Sequence, residues 1–396
     1  MTKTVLLIHS KYPLGTNAGD KIRTLNMAVS LKRLGYNVIF LGFYTRRIGN
    51  RRKELSGFPE GIKPHFFYTL PNRLHLHRLA AWYRAAVTKR ICQKYSVDFI
   101  QAETTSAATC AKFVPSIPLV VDFHADFVPE IEMGGYAKYL VRYAAEENRY
   151  ALARAAATIT VSENLRNNLA AYAQSIVPNY ILPCNISTEP FASLIPDTRQ
   201  ALRKRYGLEG KTVLCYSGGL HIWQCIAETI DTVIRLRKRN HDYFFCLYTN
   251  DDITPYKKQL QQLDGAYMVK SLKQSEMPAY LSMTDAGFVL RANSLVNINA
   301  SPTKTAEYLA AGMMLIGTTY AGDAPQMIKE SGCGITVTDP QLSDAEIGEL
   351  DNALTRFMEN RHENADKARN YVFEYRTWES NERKLAEIYR NISKEE

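Results

Sequence analysis

Two periodicities alternate along this chain. Short β-branched or apolar runs ("VLLIHS", "NVIFLGF", "VDFIQAE", "IPLVVDF", "ATITVS", "YILPCN") are bounded by polar or glycine-containing stretches and separated by segments of helix length. That alternation predicts a parallel, doubly wound α/β sheet. After a proline-containing stretch, "ISTEPFASLIPD", the pattern restarts with "KTVLCYSGG", "YFFCLYTN", "YMVKSL", "AGFVLR", "MMLIGT" and "GITVT". Two Rossmann-like domains joined near residues 186–198 are the simplest arrangement. The first helix is expected to place Ile22, Leu25 and Val29 on one face before stopping at Gly35.

Composition narrows the class. A chain of 396 residues exceeds one ordinary core, and 46% apolar with 22% charged residues suits a soluble globular protein. No window approaches the roughly 18 uninterrupted apolar residues of a membrane span. The first apolar run is short and soon followed by His9 and Lys11, which reads as a buried strand and not a signal peptide, so a cytoplasmic protein is expected. The seven cysteines are scattered without a C-x-x-C pair, so neither a disulfide framework nor a zinc site is indicated.

Charge is concentrated in one place. Residues 44–95 hold twelve Lys or Arg and two Glu, a net +10 against +9 for the whole chain. Within it, "NRLHLHRLAAWYRAAVTKRICQKY" sets Leu76, Leu79, Trp82, Tyr83, Ala86 and Val87 at helical spacing. Arg73, Arg78, Arg84, Lys89, Arg90 and Lys94 flank them, and the basic loop "YTRRIGNRRK" precedes. A basic amphipathic helix of this kind suits an anionic membrane surface, and it equally suits a core helix with a solvated basic face.

Chemistry in open α/β sheets gathers beyond the carboxyl ends of the strands. Three segments sit there. In "SKYPLGTNAGDKIRTLN" the backbone near Ala18 and Gly19 can approach a phosphate at a helix start, as can any ordinary strand-to-helix turn. In "VVDFHADFVPE", Asp122, His124, Asp126 and Glu130 lie at or past a strand end, where an isolated histidine is more often a hydrogen-bonded structural residue. In "NASPTKTAEYLAAG", Ser301 is a good N-cap, Pro302 suits the first helical position, and Thr303 and Lys304 fall in the first turn. Lysine opposes the helix macrodipole there, which suggests a bound anion, and Glu307 one turn on suits hydroxyl groups. An anion together with hydroxyls describes a nucleotide. The plainer alternative is a solvated Lys304–Glu307 pair at i,i+3.

Together with "TVSENLRNNL", "LCYSGGLHIWQ" and "DAGFVLRANSLVNINASPTKTAEYLAAGMMLIGTTYAGD", these segments resemble a group 1 (family 4) glycosyltransferase of the two-domain GT-B fold, in a variant carrying "SPTK" that is similar to enzymes of capsular and other cell-surface polysaccharides. The resemblance implies two Rossmann-like doubly wound domains facing a cleft: residues 1–190 on the acceptor side, 191–375 on the donor side, and a closing helix at 376–396. It implies retaining, metal-independent transfer of a sugar from a nucleotide-sugar donor to a saccharide or lipid-linked acceptor, with no other cofactor. The lipid-linked case favours a peripheral position on the inner face of the membrane.

Residue by residue, the resemblance makes His124, Lys304 and Arg291 the catalytic set. Gly19, Asn299, Ser301, Thr303 and Glu307 fall to the donor, and Asp20, Asp126 and Glu130 to the acceptor side. Two positions depart from the family pattern: Asn299 stands where the first motif glutamate belongs, and Gly219 and Gln224 stand near the usual arginine and lysine. Lys304 and Arg291 are expected to replace that charge. A nucleotide-sugar epimerase and a non-catalytic nucleotide-sugar binder remain alternatives, since fold does not fix chemistry. No nucleic-acid-binding motif accompanies the basic segment.

Overall fold

The computed structural model describes residues 2–13, 19–45, 58–70, 76–175, 177–194 and 196–393. They form two compact units: Met1–Pro183 with Asn381–Glu396, and Cys184–Ser380. The first unit holds a parallel seven-stranded sheet, ordered β3-β2-β1-β4-β5-β6-β7. Its strands are β1 Thr4–His9, β2 Asn37–Tyr44, β3 Lys63–Tyr68, β4 Phe99–Glu103, β5 Leu119–Phe123, β6 Ala157–Thr160 and β7 Asn179–Ile181. The second holds a parallel six-stranded sheet, ordered β10-β9-β8-β11-β12-β13. There the strands are β8 Thr212–Ser217, β9 Tyr243–Tyr248, β10 Tyr267–Lys270, β11 Ala286–Val289, β12 Met314–Thr318 and β13 Gly334–Val337.

Each apolar run singled out in the sequence contains a strand, because parallel strands covered on both faces must be apolar throughout. The strand that pattern missed is β3, "KPHFFY". It lies at the sheet edge, where Pro64 and partly exposed polar residues are tolerated. The helix Gly19–Arg33 corrects a second expectation: it turns Thr24, Met27, Ala28 and Leu31 fully inward and leaves Ile22, Leu25 and Val29 half-buried. Thr24, Ala28 and Ser30 are small enough to let its backbone lie close to the sheet. A count of large apolar residues alone points to the opposite face.

The helix Trp378–Ile392 supplies the first unit's last piece of core. Tyr389 is fully buried, with its ring 5.6 Å from Phe99 and 5.2 Å from Tyr36. The second unit is organised around a buried carboxylate. Asp285, 1% exposed, accepts from the Val213 amide at 2.8 Å and from Arg199, Arg203 and Arg361, which tie the helices carrying them to the start of β11. Burial alone would raise its pKa, yet the three guanidiniums hold it below the usual carboxylate value. The stability this gives is present at neutral pH and is lost as pH falls through the acidic range. Asp285→Asn keeps the shape, removes the charge and strands three arginines. We expect it to destabilise the second unit by roughly 3–5 kcal/mol, read as a lower urea midpoint for that unit's transition.

Candidate functional site

Each sheet has one point where successive connections depart in opposite directions, between β1 and β4 in the first unit and between β8 and β11 in the second. Polar side chains collect at the carboxyl ends of both.

In the first unit the strand register makes the cluster. Glu103 pairs with His9 on β1 and with Asp122 on β5, so three adjacent strands end in one ionisable row. Arg23, reaching in from the first helix, forks onto Asp122 with Nε to Oδ2 at 2.9 Å and Nη2 to Oδ1 at 3.0 Å. The same guanidinium donates to the carbonyls of Leu182 and Pro183. His124, one residue past β5, sets Nε2 3.1 Å from Glu103 Oε2 and 3.3 Å from Asp122 Oδ2. Burial would push the imidazole pKa down, but the two carboxylates, Asp122 first, raise it to about 10. His124 Nδ1 is buried without a hydrogen-bond partner among the described residues.

Glu103 is fully buried and supported from behind. Gln101 donates to its Oε1 at 3.1 Å, Tyr389 donates to Gln101 at 2.8 Å, and Thr24 reaches Oε2 at 3.3 Å. The ligand atoms of Glu103, Asp122 and His124 lie within 4.8 Å of one another, the spacing a metal ion would need. Both oxygens of Asp122 are already taken by Arg23, however, and two carboxylates facing a guanidinium and an imidazolium balance without a divalent cation.

The acceptor-side residues divide. Asp20 opens the first helix, its side chain 42% exposed and 3.4 Å from buried His9. Burial would raise its pKa, yet His9 and the Lys21 amide hold it low. Gly19 beside it faces space that is open among the described residues; Ala18 lies outside them. Asp126, 5% exposed, is spent on structure: it caps the helix Phe127–Met133 through Val128 N and accepts from Asn148 and Tyr172. Glu130, in the first turn of that helix, is half-buried, and burial together with Asp126 raises its pKa to about 7.

In the second unit, Tyr308 fixes the helix Thr303–Ala310 to the end of β8, its hydroxyl 2.8 Å from Ser217 N. Gly287 makes room for that ring: a Cβ there would stand 2.3 Å from Tyr308 Cδ2. One turn earlier, Lys304 lies 3.9 Å from the centroid of the Tyr216 ring and 3.2 Å from Gln224 Oε1. Gly218, at φ +125°, leaves space for it, since a Cβ would be 3.1 Å from its ammonium. Arg291, 4% exposed and anchored through its backbone to Thr318, donates to the same Gln224 oxygen, and the Tyr216 hydroxyl lies 2.8 Å from it.

Two basic side chains thus converge on one amide oxygen and take up both of its lone pairs, while the single Tyr216 hydroxyl proton lies closer to Gly219 O, at 2.6 Å. Burial, and then Arg291, push the Lys304 pKa well below the ordinary lysine value. An anion beside the pair would offset the repulsion from Arg291. Glu307, half-buried one turn on, is raised by burial and lowered by Lys304, with burial the stronger.

Of the other donor-side residues, Thr303 is the first residue of this helix and half-buried, while Asn299 is buried at the end of the short helix Leu295–Ile298. Ser301 is not the N-cap; Pro302 occupies that position. The Ser301 hydroxyl instead donates to Asp323 at 2.6 Å and accepts from Cys184 N at 3.0 Å and Arg376 at 3.2 Å. The Asp323–Arg376 ion pair wins it, because a charged partner outbids a helix amide. Sequence reasoning missed Glu103, Arg23, His9, Tyr216 and Gly218. For the first three the only signal was position at a strand end or on an inward helix face.

Residues 19–188 match the model of Glycosyltransferase Family 4. No curated protein sequence matches the chain. Among solved structures, a glycosyltransferase from Rickettsia africae is 17% identical, with complete coverage of both chains and a TM-score of 0.75. HepE from Anabaena, determined with UDP and glucose, is 17% identical over 98% of this chain and 99% of its own, at TM-score 0.73. WaaG, a glycosyltransferase of lipopolysaccharide biosynthesis, is 15% identical over 96% and 98%, at 0.71. At these identities the likeness establishes the fold. Residues 19–188 are thus similar to Glycosyltransferase Family 4, and the chain has the two-domain GT-B fold of these solved structures.

Proposed function

We propose that the protein transfers a sugar, with retention of anomeric configuration and without a metal ion, from a nucleoside-diphosphate donor to a saccharide or lipid-linked acceptor in the building of a cell-surface polysaccharide. The observation that carries this reading is the convergence of Arg291 and Lys304 on Gln224 beside a helix N-terminus, a preformed site for an anion. The solved HepE, which holds UDP, supports a nucleoside diphosphate as that anion.

In this reading the bond from the sugar C1 to the β-phosphate oxygen breaks and a bond from C1 to the acceptor oxygen forms on the same face. The acceptor proton passes to the departing phosphate. Charge grows on the diphosphate as the sugar becomes oxocarbenium-like, and Arg291 and Lys304 stabilise that growth without reorganising. Glu307 holds the ribose hydroxyls. The first unit's cluster serves the acceptor, with Asp20 and Glu130 as its half-open carboxylates and His124 as its positive charge.

The helix His77–Tyr95 favours a membrane surface for that acceptor. Its core face is Ala80, Arg84, Ala85, Val87, Thr88, Ile91 and Cys92, so Arg84 is buried and not one of the flanking charges. The stripe read from the sequence as apolar is largely outward: Leu79 and Trp82 are more than half exposed, and Tyr83 and Leu76 more than a third. Arg78, Lys89, Arg90 and Lys94 are exposed beside it. Outward apolar residues among cations suit an anionic bilayer, at about 1 kcal/mol per basic residue. Arg46, Arg47, Arg51, Arg52, Lys53 and Arg73 lie outside the described residues. No helix among the described residues is long and apolar enough to cross a membrane.

Lys304→Ala lowers turnover by roughly 10² or more, the effect of removing one preorganised donor, while Glu307→Gln weakens nucleoside-diphosphate affinity. Steady-state transfer assays and calorimetric titration read the two, and repeating the assay in EDTA tests independence from metal. Gln224→Glu places a carboxylate between the two cations. It should raise the melting temperature while weakening nucleoside-diphosphate binding by at least about tenfold, and unchanged binding would remove the anion from this site. Co-sedimentation with phosphatidylserine vesicles should be salt-sensitive and reduced in Leu79→Ser/Trp82→Ser; absence of binding at low salt would sink the membrane reading.

A further inference from the structure

The charge on His124 is fixed by its neighbours, and that determines which proton path the reaction leaves open. The side chain is 11% exposed, between two carboxylates that are themselves fully buried, and Arg23 is the other cation in contact. With a neutral imidazole the group would carry a net negative charge in a buried place. With an imidazolium, two negative charges meet two positive ones.

The other groups around it lead the same way. From β4, Glu103 is held by Gln101, which donates to its Oε1. From β5, Asp122 is held by Arg23, which stands on the first helix. On that helix Asp20 adds a further carboxylate that senses His124 and is itself paired with His9 of β1. From the helix Trp378–Ile392, the neutral Tyr389 hydroxyl faces Gln101. Asp126 is turned to Val128, Asn148 and Tyr172.

We propose that Glu103 is a positioning residue that, together with Asp122, keeps His124 permanently protonated, so that His124 acts on the substrate as a fixed cation and never as a base. The inference deepens the glycosyl-transfer reading and rests on it for its functional meaning. An imidazolium whose Nε2–H is divided between two carboxylates cannot accept the acceptor's proton. That proton then goes to the leaving phosphate oxygen, which gains negative charge as the C1–O bond breaks. The ring contributes charge and geometry.

The test uses the full-length protein with 15N-labelled histidine and a pH titration followed by NMR, the His124 signal being assigned by its absence in His124→Asn. In the wild type both His124 nitrogens keep imidazolium shifts through pH 8. In Glu103→Gln the midpoint falls by about one to three pH units. Transfer turnover, flat between pH 7 and pH 9 as far as this group is concerned, acquires in that variant an alkaline loss that follows the new midpoint. A wild-type His124 titrating near its ordinary value, about 6.5, overturns the proposal. So does a Glu103→Gln midpoint that stays where it was, and the wild-type titration decides the charge state even if that variant fails to fold. Should no nucleotide sugar support transfer at all, the functional reading falls while the NMR titration still decides the imidazolium.

Discussion

The fork of Arg23 onto Asp122 is the contact on which the first unit's chemistry depends. It joins the first helix to the middle of the sheet and to the chain leaving β7, and it cancels one of two buried carboxylates at the strand ends. Without that cancellation, Asp122 and Glu103 side by side would repel, and one would take up a proton. With it, the remaining negative charge falls to His124. A histidine that from sequence alone looks structural is thereby both structural and charged, and the two descriptions do not compete.

The second unit takes the opposite route, setting two basic side chains on a neutral amide. Arg291 and Lys304 share one neutral amide oxygen, and Glu307 stands a turn away from Lys304 on its helix. Gln224 stands near the place where the resemblance seen in the sequence leads one to expect a lysine. Its side-chain oxygen accepts from Arg291 and Lys304, which arrive from other elements.

Much of this was legible in the chain. Buried parallel strands write themselves as continuous apolar runs, and the start of the helix Thr303–Ala310 is marked in the chain by Pro302. Less legible was whatever depended on register or competition. Nothing in "FIQAE" singles out Glu103 until β1 and β5 set His9 and Asp122 beside it. Ser301 reads as an N-cap until Asp323 and Arg376, distant in sequence, offer its hydroxyl a charged partner. The helix His77–Tyr95 has two plausible inward faces, and the one chosen carries a buried arginine while tryptophan stays outside.

The chain of hydrogen bonds from Tyr389 through Gln101 and Glu103 to His124 links residues made at very different times. Tyr389 follows Gln101 by 288 positions. During synthesis the strands of the first unit emerge and can pair long before the helix that buttresses them exists. The ionisable row at their ends is then left with an open back, and Phe99 is left without its cover. The first domain therefore matures in two stages: its sheet early, its charged centre only after the second domain has been translated. Completion of the site is thus tied by topology to translation of the second domain.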